Sequence, residues 1–91
     1  MFDIGDRVIA IKAVDGNIST KGKTGTIIAG KHNRFSVGIE FDEPIEDGHS
    51  CDNRGKYGYC WWGHEFEIEL VVEDVDVSSI KIDVPFDQIV N

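Results

Sequence analysis

The sequence predicts an all-β fold, a small barrel of five strands, and three observations predict it. No run of ten or more residues before position 64 carries helical periodicity. Short β-rich segments recur at about 8–12-residue spacing with turn signals between them. Glycine falls at regular intervals among these segments. Five strands in about seventy residues suit a barrel better than a sandwich.

The elements follow in order. Residues 7–12 are β-rich and come after the turn signal Gly5-Asp6. Asp15-Gly16-Asn17 marks a turn, and residues 19–23 complete a polar loop. Residues 25–29 form the second strand, entered through Gly22 and Gly25, which bracket a tight turn where positive φ is expected. Residues 31–34 turn the chain into 35–41, where Phe35, Val37, Ile39 and Phe41 alternate on one face. Gly38, inside that strand, marks a bulge or a sharp barrel bend. Residues 42–55 make a polar loop, residues 57–62 an aromatic strand, and residues 66–72 the last strand. The barrel is thus expected over residues 1–72. Residues 73–91 are an acidic, β-rich extension in which Val75, Val77, Ile80, Ile82 and Val84 alternate with polar residues before Pro85. It is expected to form a hairpin or edge strand, and an exposed edge of that kind would pair two copies of the chain as a homodimer.

With 91 residues, 41% of them hydrophobic, the chain is sized for one domain with one modest core. The formal net charge is −8 and it is unevenly spread. Residues 1–39 carry six basic and three acidic side chains, a balance of +3, whereas residues 40–91 carry three and fourteen, a balance of −11. Such a chain repels phosphate backbones and anionic lipid, which argues for a protein partner with a basic surface and against nucleic acid. No stretch approaches the roughly 20 apolar residues of a spanning helix, and no signal-peptide pattern opens the chain. A cytoplasmic location without membrane contact is the expectation.

The order of the motifs carries a resemblance. Gly5-Asp6-Arg7-Val8, then Gly22-Lys23-Thr24-Gly25-Thr26-Ile27, then Gly38-Ile39-Glu40-Phe41-Asp42-Glu43-Pro44, resemble the corresponding steps of KOW and CAP-Gly domains. The stretch Gly48-His49-Ser50-Cys51 through Gly55-Lys56-Tyr57-Gly58-Tyr59-Cys60-Trp61-Trp62 is similar to one in small bacteriophage and bacterial proteins, and is the more specific match. Together these cover roughly residues 4–72 and imply an SH3-like barrel. The CAP-Gly ligand loop, which grips acidic tails, is replaced here by Ile45-Glu46-Asp47-Gly48. An acidic loop repels such a tail, so the resemblance implies the fold and not that ligand.

Two constellations could carry function. Adjacent Trp61 and Trp62 must point to opposite sides of a strand, so one can fill the core while the other reaches outward. With Arg54, Lys56, Tyr57 and Tyr59 they form a candidate protein-binding surface. His49, Cys51, Cys60 and His64 supply two imidazoles and two thiols, a set that zinc accepts in structural sites. The same cysteines could instead be ordinary thiols or a disulfide. Enzymatic motifs are absent: there is no phosphate loop, nucleophile elbow or His-Glu-x-x-His pair. The reading is a non-catalytic protein-binding module without a required cofactor. It would be a small phage-type accessory or inhibitory protein docking an acidic, aromatic-anchored face on a basic partner. The alternatives are a zinc-stabilised module, and a nucleic-acid or nucleotide binder that gathers Lys21, Lys23, Lys31, Arg34, Arg54 and Lys56.

Overall fold

A computed structural model describes residues 2–71. Among them five strands make one antiparallel sheet: β1 (Arg7–Ala10), β2 (Thr24–Ala29), β3 (Val37–Phe41), β4 (Cys60–Gly63) and β5 (Ile68–Leu70). Their spatial order is β4-β3-β2-β1-β5. Two 3-10 turns, Ile18–Thr20 and Glu65–Glu67, are the helical elements of the described residues. The all-β, five-stranded expectation holds. The extension expected over residues 73–91, with the homodimer it would mediate, lies outside the described residues.

The connectivity requires the sheet to curl. β4 and β5 stand at its two ends, yet only residues 64–67 join them. In a flat sheet the two strands would lie about 19 Å apart. Three of the four linking residues are wound in a 3-10 turn, which advances only about 2 Å per residue. The ends must therefore approach each other, giving a barrel-like form.

Alternation puts Val8 and Ala10 of β1, Ile27 of β2, and Val37, Ile39 and Phe41 of β3 inside. Val14 and Ile45 close the core from the loops, and Ile68 closes it from β5. Phe41, 1% exposed, is the largest fully buried side chain. Burying a residue of that kind contributes about 1.5–3 kcal/mol.

Three strands start two or more residues later than the sequence expectation. β3 begins at Val37 because His32 and Phe35 exchange both backbone hydrogen bonds across a tight turn (3.0 and 2.9 Å) with Asn33 at φ +55°. Phe35 therefore belongs to the turn and not to the core. β4 begins at Cys60 because residues 57–59 still turn, the Tyr59 N–H donating to the Lys56 carbonyl at 3.1 Å. Phe66 lies in the 3-10 turn before β5 and is 67% exposed.

The glycines separate into two kinds. Gly22 has the expected positive φ of +83°, whereas Gly25 does not. What Gly25 needs is room, since a β-carbon there would stand 2.6 Å from the Glu40 carbonyl oxygen. At Gly38 the expected bulge is present on the opposite strand: Ile27 pairs with Ile39 and Ala29 with Gly38, leaving Ile28 as the extra residue.

Two loops are fastened side by side. Thr20 Oγ1 accepts from the Val14 N–H (2.8 Å) and donates to the Asn17 carbonyl (2.7 Å), closing residues 14–20 on themselves. Asn17 Nδ2 then donates to the Glu46 carbonyl (2.8 Å), and the Glu46 N–H donates to Ser19 Oγ (3.0 Å). Glu67, 6% exposed, anchors the same loop to the barrel by accepting from the N–H groups of Asp15 and His64, each at 2.9 Å. Across the sheet, Arg7 grips Asp42 with both guanidinium nitrogens (2.8 and 2.6 Å).

Candidate functional site: the two sides of strand β4

β4 pairs with β3, Cys60 opposite Glu40 and Trp62 opposite Gly38. Cys60 and Trp62 therefore share the outer side of the sheet, and the loop of residues 48–59 folds over it. His49 is bridged to Cys60 by two backbone hydrogen bonds of 3.0 Å. His49 Nδ1 accepts from the Cys51 N–H at 3.0 Å, holding a sharp bend in which Cys51, Asp52 and Asn53 all have positive φ. Cys51 and Cys60 are fully buried beneath this loop with their sulfurs in hydrogen-bonding reach of each other. Gly55 packs so closely that a β-carbon there would stand 2.6 Å from both Cys60 Sγ and Ile28 Cδ1. The glycine- and cysteine-bearing stretch is thus a device for closing a loop on a sheet.

Burial, with the second sulfur adding to it, pushes the Cys51 thiol up to about 12. Burial and the neighbouring Glu40 carboxylate raise Cys60 to about 11. Both stay protonated at neutral pH, where a thiol is a poor nucleophile. Of the four candidate zinc ligands the structure brings together His49, Cys51 and Cys60, but the first uses Nδ1 on the Cys51 backbone. His64 lies elsewhere, its ring between Phe35 and Phe66 and its Nδ1 3.4 Å from Glu67 Oε1. Among the described residues no three His, Cys, Asp or Glu side chains converge as a metal set.

Trp61 and Trp62 diverge as the strand period requires. Trp62 lies on the outer side and is the centre of a ladder of rings. His32 stacks on it at 4.4 Å between centroids, tilted by only 13°, and Phe35 lies 6.4 Å away on a similar plane. Phe35 continues to His64 (5.4 Å), and His64 to Phe66 (5.3 Å). Cations stand over three of these rings: Arg54 over Trp62 (5.7 Å), Arg34 over Phe35 (4.6 Å) and Lys12 over Phe66 (5.6 Å). Asp52 fixes one end, contacting His32 Nε2 at 3.0 Å and Arg54 at 3.7 Å. Beside Phe35 a cavity of about 450 Å³ is lined by Phe2, Lys31, Arg34 and Glu65.

Trp61 turns the other way. It packs against the core, stacks on His49 at 5.1 Å, and keeps its Nε1 buried without an acceptor. With the 15–18 and 46–47 loops it lines a second cavity, of about 220 Å³.

Of the sequence-predicted binding residues, Arg54 and Trp62 meet on the ladder. Lys56 covers Tyr59 at 4.3 Å and Tyr57 projects from the loop, 79% exposed. Trp61 belongs to the opposite side. His32, Phe35, His64 and Phe66 complete the ladder and were not among the binding residues expected from sequence. Of the expected basic cluster, Arg34 and Arg54 stand over the neighbouring rings Phe35 and Trp62, with Lys31 and Arg34 lining one cavity, whereas Lys23 pairs with Glu43 at 3.3 Å.

Fold and site thus define a barrel-like, five-stranded β domain with a ring-lined outer face. Comparison of the chain with protein-family descriptions, with curated proteins and with solved structures finds no match. Among the described residues no helix is long and apolar enough to cross a membrane.

Proposed function

We propose that this domain is a non-catalytic protein-binding module whose contact surface is the ring ladder centred on Trp62. The observation that carries this reading is the unbroken contact of His32, Trp62, Phe35, His64 and Phe66 along the outside of the sheet, with Phe66 67% exposed at one end. The rings hold one another in place, so little side-chain freedom is lost on docking, and rigid aromatic surface is what interface hot spots are made of. Arg34 and Arg54 add planar donors at its rim. The net charge of −8 favours a partner of opposite net charge and speeds its encounter with the domain as a whole. At the ladder itself the partner meets Lys12, Arg34 and Arg54. The resemblance to small phage proteins supports an accessory or inhibitory role on such a partner.

Affinity capture tests this with chain variants chosen for exposed positions. Phe66→Ser and Arg34→Ser should each weaken capture of the partner at least fivefold, while Ile18→Ser, at a residue 66% exposed on the Trp61 side, leaves it unchanged. Equal capture by all four chains removes the ladder as the contact surface.

A further inference from the structure

Cys51 and Cys60 are free thiols and fully buried, yet neither belongs to the core cluster inside the sheet. They form a separate buried site on the outer side, under the loop that folds over β4. The backbone brings them together. The antiparallel bridge between His49 and Cys60 sets Cys51 two residues beyond the paired position. The chain then turns back through left-handed φ at Cys51 (+50°), Asp52 (+57°) and Asn53 (+68°). Residues other than glycine keep that conformation only where their surroundings hold it. Here the Arg54 and Gly55 N–H groups both donate to the Ser50 carbonyl at 2.9 Å. Gly55 seals the site, with no room for a β-carbon beside Cys60 Sγ and Ile28 Cδ1. The two sulfurs are left in hydrogen-bonding reach of each other, and Cys60 Sγ donates to the Lys56 carbonyl at 3.3 Å.

We propose that Cys51 and Cys60 are an oxidation site, which a small disulfide such as oxidised glutathione converts into an intramolecular disulfide that locks the 51–60 loop in place. One cysteine gives its proton to water, and its thiolate attacks a glutathione sulfur. The glutathione S–S bond breaks, and one glutathione leaves as a thiol. The second cysteine, deprotonated in turn, attacks the protein sulfur of the mixed disulfide and releases the other glutathione. Two protein thiols are oxidised and one glutathione disulfide is reduced to two thiols. Burial makes the reaction slow, because the first exchange waits for the loop to open. The equilibrium is a separate matter, since sulfurs already this close have little distance to cover to the about 2.05 Å of the bond. Closing a loop of ten residues, 51–60, stabilises a fold that accommodates it about a hundredfold. By linkage the fold stabilises the disulfide by the same factor. The loop also carries Asp52 and Arg54, which fix the His32–Trp62 end of the ladder. Oxidation therefore fastens one end of the ladder.

Equilibration of the full reduced chain in glutathione buffers, with and without unfolding urea, tests this. Acid quenching, alkylation and intact mass then count the closed chains. Half closure of the folded chain should come at a ratio of squared thiol to disulfide concentration at least tenfold higher than in urea. The closed chain should also have the higher urea midpoint. Once the disulfide has formed, the Arg54 and Gly55 amides should exchange hydrogen at least tenfold more slowly, while the Trp62 indole N–H signal stays in place. A half-closure ratio no higher in the folded than in the unfolded chain overturns the proposal. So does a folded chain that accumulates only glutathione adducts or disulfide-linked dimers. Amide exchange unaltered by closure, or a displaced Trp62 signal, overturns the locking of the loop in place. None of these readouts involves a partner, so their outcome is separate from that of the ladder as a contact surface.

Discussion

The indole of Trp62 lies flat over Gly38, its cross-strand partner on β3. A β-carbon at Gly38 would stand 2.8 Å from Trp62 Cζ3 and 3.1 Å from the Ala29 β-carbon. The glycine serves two purposes at once. It lets the sheet bend beside the Ile28 bulge, and it seats the ring from which the ladder extends.

Gly38→Val should therefore be strongly destabilising, and Gly38→Ala less so. Overpacking costs about 1–3 kcal/mol, and the ring must also lift off the sheet. Urea denaturation should show a lowered midpoint for both variants, with loss of the His32–Trp62 contact in the valine variant. An unchanged midpoint would mean that Trp62 does not rest on Gly38.

The dependence of stability on pH should have two edges with separate origins. The Arg7 guanidinium, helped by Thr24, holds the Asp42 carboxyl down to about 2 from 3.8. Its stabilisation is complete above 3.8 and is lost as pH falls toward 2. The pair is open to water, 42% and 44% exposed, so the loss stays within about 1 kcal/mol. At the alkaline edge the sign is reversed. Cys51 and Cys60 are raised above the ordinary 9.0, so their contribution is intact below pH 9. Above it the unfolded chain ionises first, and stability falls toward pH 11 by up to about 1.4 kcal/mol per thiol per pH unit. Thermal melts from pH 2 to 11 check both edges; replacing both cysteines by alanine should flatten only the alkaline one.

Chelation should leave the melting temperature of this protein unchanged, because His49 already uses Nδ1 on the backbone and His64 is engaged with Phe35, Phe66 and Glu67. Both thiols should resist a thiol reagent until urea exposes them. A melting temperature that drops with EDTA and recovers with zinc would restore the metal reading.

Glu67 carries the join between the first loop and the barrel. Glu67→Ala strands the N–H groups of Asp15 and His64, each at about 1–3 kcal/mol, while Glu67→Gln retains an acceptor and should cost much less. Equal urea midpoints for the two variants would show that the carboxylate does not hold the loop.

Much of this architecture was legible in the residues. Period-two alternation identified Val37, Ile39 and Phe41 as core, and the same period required Trp61 and Trp62 to part. Gly38 stood out because a strand rarely tolerates a missing side chain without a reason. What alternation could not tell was where a strand stops. Phe35 fits the period of β3, yet Asn33 at φ +55° ends the hairpin two residues earlier and lays the Phe35 ring on Trp62. Phe66 looked like the start of a strand, and Tyr57 and Tyr59 like the start of another, because 3-10 and turn geometry leave no mark in a hydrophobic pattern. The ladder is assembled from the 32–35 turn, β4 and the 65–67 turn, which come together only once the sheet has curled. The zinc reading arose from spacing alone, and the hydrogen bond from Cys51 to His49 explains that spacing as a loop clasp.

The most direct measurement is oxidative footprinting of the captured complex against the free chain. With the partner bound, Phe66, Phe35 and Trp62 should be protected together, and Ile18, on the Trp61 side, should be oxidised as in the free protein. Protection that spares all three ladder rings would contradict the ladder as the binding face.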